Sequence, residues 1–166
     1  MSTRKDRFYE EVLYKVYCEN PRPIWNNIFT TIVMVFTGIT AATFEVSEDY
    51  RIPKIALWLL IGICSIIHQG CIWPKLLWIS RLDSLATLAL QTLYVITFYE
   101  TAPWWVWALA VVTVIVFIYY YYRFYQNPPI SMIQYIRLVN LWHIGVTATT
   151  IALYATAGLS PESPEK

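Results

Sequence analysis

Residues 101–122 read TAPWWVWALAVVTVIVFIYYYY, twenty-two positions without one charged side chain. An α-helix rising 1.5 Å per residue needs about 20 apolar residues to cross a hydrocarbon core about 30 Å thick. This stretch is long enough. Its ends also carry the aromatic belts of a membrane span, with Trp104, Trp105 and Trp107 at one end. At the other end stand Tyr119, Tyr120, Tyr121, Tyr122, Phe124 and Tyr125.

Four more uncharged runs lie outward from it, at 25–44, 55–74, 84–99 and 138–161, with 20, 20, 16 and 24 residues. The 16-residue run gains length if it starts at Asp83, or it sits beside thinned bilayer. Composition agrees: hydrophobic residues make up 57% of the 166 and charged residues 14%. Soluble domains hold about 45–50% and about 25%. The sequence therefore predicts an all-α polytopic membrane bundle. Its five spans are expected at about 25–44, 55–74, 83–99, 103–122 and 132–157, within a bundle covering 25–161. A segment 1–24 precedes the bundle and a polar tail 162–166 follows it.

A net charge of +1 excludes a nucleic-acid partner, because no basic face is available to neutralise phosphates. Three cysteines make no disulfide framework, and Cys64 and Cys71 fall inside a span. No cleavable signal is read before the first span, which is expected to act as its own insertion signal. Five spans put the two ends on opposite sides of the membrane. Nine basic residues (Arg4, Lys5, Arg7, Lys15, Arg22, Lys75, Arg81, Arg123 and Arg137) then share the N-terminal side. Arg51, Lys54 and Lys166 share the other. The positive-inside rule places the N-terminus inside and the C-terminus outside.

Within the first segment, Phe8, Tyr9, Val12, Leu13, Val16 and Tyr17 form one apolar stripe over 6–18, with Arg7, Glu10, Glu11 and Lys15 opposite. This predicts an amphipathic helix along the interface or against a partner. Residues 75–82 are too few to cross and are expected along the inner surface.

Polar groups inside a bilayer are costly, so they are the first candidates for function. Both histidines, His68 and His143, fall inside spans. His68 shares a helix face with Cys64 four residues before it and Cys71 three after. The topology brings His68, Asp83 and His143 to similar depth. Two imidazoles near a carboxylate suit zinc, with Cys64 or Asp83 as third ligand. Two other readings satisfy the same residues. Intramembrane histidines serve as interhelical hydrogen-bond donors, and a pair of them holds a haem. Asn26, Asn27 and Asn140 lie at similar depth and read as bonds between helices or as the lining of a polar cavity.

The order of these residues resembles the alkaline ceramidases and the wider superfamily that includes the progestin and adiponectin receptors. Cys64-Ser65-Ile66-Ile67-His68 stands at that family's Ser-x-x-x-His motif, and Arg81-Leu82-Asp83 at its aspartate. Residues 139–147, with Trp142, His143 and Thr147, are similar to its His-x-x-Trp-His-x-x-x-Thr stretch. Tyr17-Cys18-Glu19-Asn20 and Trp25-Asn26-Asn27 are similar to its Trp-Cys-Glu and Phe-Trp-Asn-Thr elements. The resemblance implies an intramembrane zinc that activates water for amide hydrolysis, with Asp83 and Cys64 or Ser65 beside it.

The departures are specific. Val139 stands where the family has its first terminal histidine, and Cys64 where it has serine. Pro23 and Val16 stand at positions of its calcium site, and the chain has two spans fewer. A reduced, inactive relative is therefore expected, with no cofactor if the zinc is lost. It would act as an accessory subunit of a larger membrane complex, in contact with lipids and with other subunits through its polar ends. The mitochondrial inner membrane is the expected site, with the endoplasmic reticulum or Golgi as the alternative. A zinc-dependent lipid amide hydrolase is the alternative function.

Overall fold

In a computed structural model of the chain, the described residues are 25–45, 47–69, 77–124 and 132–157. The expected amphipathic helix over 6–18, Cys71 and the tail 162–166 lie outside them. The described residues form five helices: α1 Trp25–Thr43, α2 Glu48–Gln69, α3 Leu77–Phe98, α4 Trp104–Phe124 and α5 Met132–Ala157. The stretches Trp25–Thr43, Glu48–Gln69 and Ile136–Thr156 are long and apolar enough to cross a membrane. Trp104–Tyr119 is a shorter apolar helix. Length and composition thus fit an integral membrane protein.

Three helices begin before their uncharged runs, among them α5, which starts at Met132 and contains Arg137. α2 starts at Glu48, where the Ser47 carbonyl accepts from the amides of Tyr50 and Arg51 at 3.3 and 3.0 Å. Glu48 and Asp49 stand in its first turn, where negative charge meets the positive end of the helix dipole. Charge at a helix start ends an apolar run without ending the helix. α3 starts at Leu77, so Arg81 and Asp83 lie inside it and most of the expected surface segment 75–82 is helical.

α3 packs on α2, α2 on α1, α1 on α5, and α5 on α4. The helices therefore form an open ring whose two ends, α3 and α4, are neighbours in the chain. These two are joined by the tight turn after Phe98, whose carbonyl accepts from the Ala102 amide at 2.9 Å. Met34, Trp58, Ile61, Leu90, Tyr94, Phe98, Val106 and Leu153 make up most of one buried cluster. It lies toward the end of the bundle where α1 passes into α2, called below the Glu45 end. The opposite end is called the Asp83 end. Many large apolar side chains on the outer faces are exposed, among them Phe29, Phe36, Ile63, Leu88 and Ile118. Such faces suit contact with acyl chains.

Candidate functional site

The gap in the ring is filled by a cavity of about 530 Å³ between α2, α3, α4 and α5. That volume lies within the range of small-molecule sites, about 300–1,000 Å³. Its ionisable lining gathers at the Asp83 end, where Asp83, His68 and His143 stand with Ser65, Gln69 and Ser84, while Gln91, Thr113, Thr149 and Thr150 add neutral polar groups further along. Its other end is closed by Trp58, Tyr94, Thr150 and Leu153. Val95, Val111 and Ile115 line it and are nevertheless 47%, 56% and 57% exposed, so it opens sideways between α3 and α4.

Each polar group follows from helix register. Ser65 and His68 are three residues apart, hence on one face of α2. Ser65 Oγ donates to Asp83 Oδ2 at 3.1 Å, joining α2 to α3. Asp83 Oδ1 is buried without a hydrogen-bond partner among the described residues. On the α1–α5 side, Thr30 Oγ1 lies 2.8 Å from His143 Nδ1, 2.9 Å from Asn140 Oδ1 and 3.1 Å from the Asn27 carbonyl. A hydroxyl has one proton to give. If Thr30 gives it to Asn140, the His143 contact is one that the ring Nδ1–H donates. Replacing Thr30 with valine is expected to cost about 1 kcal/mol, the size of interhelical hydrogen bonds in membranes. Unfolding in detergent measures it.

The structure thus brings Ser65, His68, Asp83 and His143 to the lining of one cavity. Val139 lines it as well, whereas Cys64 is buried outside its lining. Among the described residues, no three His, Cys, Asp or Glu side chains are grouped to hold a metal ion. His143 is instead tied to Thr30, and Ser65 to Asp83.

Asn27 is fully buried, and neither atom of its carboxamide has a partner among the described residues. An unpaired buried amide costs about 1–3 kcal/mol. Asn27→Leu, which keeps the size and removes the polarity, is therefore expected to raise stability by about 1–2 kcal/mol. A drop in the unfolding temperature would show that the amide has a partner.

The charged group that sequence reasoning missed is at the other end. Lys54 reads as one of three basic residues flanking the spans, yet it has no exposed surface. Its Nζ pairs with Glu45 and donates to Thr97 Oγ1 at 2.8 Å. The rings of Phe98, Tyr94 and Tyr154 surround the ammonium, with centroids 4.6, 5.2 and 5.6 Å away. Tyr154 Oη donates to the same Glu45 oxygen at 3.2 Å. Cation–π attraction reaches about 2 kcal/mol or more when the cation is desolvated. The only sequence signal was a lysine placed a few residues into a helix, beside a proline and near an uncharged run.

The family models give no match to this chain, and neither the curated proteins nor the solved structures include a match.

Proposed function

We propose that the protein is a non-catalytic, five-span membrane component that holds one neutral, single-chain amphiphile in the cavity between α2, α3, α4 and α5. The observation that carries this is the make-up of the cavity lining, which gathers Asp83, His68 and His143 at one end and is mostly apolar beyond, with Gln91, Thr113, Thr149 and Thr150 as scattered polar groups. A head that both donates and accepts hydrogen bonds suits Ser65, Gln69, Asp83 and His143. No described lysine or arginine lines the cavity. A phosphate or carboxylate head would therefore meet Asp83 without a compensating cation. The sideways opening offers entry from the bilayer, so the chain need never cross water.

The non-catalytic reading is supported by Val139, which stands where the family that the sequence resembles has a histidine of its zinc site. The setting we propose is a larger membrane assembly, with the N-terminus inside and the C-terminus outside, in the mitochondrial inner membrane. The nine-to-three division of basic residues supports this orientation.

Native mass spectrometry of the purified protein in mild detergent, with monoacylglycerol added, tests the reading. One bound molecule is expected, and Thr113→Phe, which fills the cavity wall, is expected to abolish binding. A parallel assay with a fluorescent ceramide, with and without added zinc, is expected to show no hydrolysis. Turnover that depends on His68 and His143 would replace this reading with the hydrolase.

A further inference from the structure

We infer that the Trp58–Tyr94 pair, clamped from behind by Lys54, is a fixed floor that sets the longest chain the cavity accepts. This rests on the amphiphile-binding reading above. The floor is made by three helices. Trp58 of α2 donates from Nε1 to Tyr94 Oη of α3 at 2.9 Å, and Leu153 of α5 lies beside them in the same cluster. All three side chains are buried and line the cavity.

What stands behind the floor keeps it from yielding. Tyr94 has the Lys54 ammonium over its ring and the Tyr154 ring edge-on at 6.1 Å. Tyr154 packs edge-on against Phe98 at 5.0 Å. A terminal methyl pressing on Tyr94 would have to displace a buried ion pair. Close-packed interiors resist such a shift, and a side chain held on several sides has no spare rotamer.

The floor and the polar end lie on one helix. From Asp83 to Tyr94, α3 rises ~16 Å at 1.5 Å per residue. That is about half of the ~30 Å hydrocarbon core. A chain that extends from a head at Asp83 therefore has roughly one leaflet of depth before it meets Tyr94. The free chain lies among acyl chains and the bound chain among mostly apolar side chains, so added methylenes gain little from burial. Discrimination comes from the clash at the floor. Chains shorter than the depth bind alike, and a longer one must turn away from the floor toward the opening beside Val95, which costs it the extended fit.

A homologous series of monoacylglycerols of increasing chain length, competed pairwise in native mass spectrometry, tests this. Wild type is expected to show a sharp upper limit, with about tenfold loss on passing it, the low end of discrimination by one methylene in a shaped pocket. Leu153→Ala and Tyr94→Leu are expected to move the limit to longer chains. Ala110→Phe, which adds bulk to the α4 wall of the cavity, is expected to move it to shorter ones. Tyr94→Phe, which keeps the ring and loses the hydroxyl's bonds to Trp58, Thr150 and Tyr154, is expected to leave it in place. A limit that stays put in Leu153→Ala, Tyr94→Leu and Ala110→Phe while all of them bind overturns the floor. Absence of binding across the whole series in wild type overturns the amphiphile reading itself.

Discussion

Glutamine in place of Glu45 is expected to destabilise the bundle by about 3–5 kcal/mol, the effect of removing one partner of a buried ion pair. The variant keeps the shape of the side chain and removes its charge, leaving the Lys54 ammonium where it has no exposed surface. Thr97 and three ring faces remain, but none carries a negative charge. The double variant Lys54→Met with Glu45→Gln is expected to recover most of the loss, because a buried pair replaced as a whole is often neutral. An internal control lies one turn away. Arg51 pairs with Glu48 on the surface, and Glu48→Gln is expected to change stability by less than about 0.5 kcal/mol. Unfolding in detergent measures all three. If Glu45→Gln and Glu48→Gln behave alike, the Lys54 cluster does not hold the fold.

Gly38→Ala is expected to cost about 1–3 kcal/mol, with most of the effect coming from one contact. A Cβ built at Gly38 falls inside van der Waals distance of the Trp58 indole. Trp58 is 1% exposed and its ring nitrogen is bonded to Tyr94. The ring has nowhere to go, so α1 and α2 must move apart. In a double-mutant cycle, Trp58→Leu is expected to cost less in the Gly38→Ala background than alone, because the smaller side chain makes room for the methyl. Additive costs would mean that the helices do not meet at this point.

Much of this fold is legible in the sequence, since uncharged runs and helices coincide over most of their length. The ends are less so. Glu48, Asp49, Arg81 and Asp83 break an apolar run while lying inside a helix. The polar lining of the cavity is legible because histidines inside an apolar run stand out, and their register follows from helical periodicity. What pairs with each is not. Thr30 reaches His143 from 113 residues away, and threonine is too common in membrane helices to mark itself. Lys54 is the clearest case. Its carboxylate partner lies nine residues earlier, and its rings come from α3 and α5. A local pattern of charge reads it as a flank, because only packing brings the other three elements to it.

The open-ring order of the helices bears on how the chain is made. Synthesis delivers α1, α2 and α3 in the order in which they pack, so each finds its neighbour as it leaves the ribosome. α4 emerges next, beside a helix with which it makes few contacts, and its extensive neighbour α5 has not yet been made. Until α5 arrives and docks on α1, the fourth helix is tethered chiefly by its turn. A pause in translation before residue 132 would therefore leave a three-helix wall and one unclaimed helix, the form that a membrane chaperone or protease would recognise.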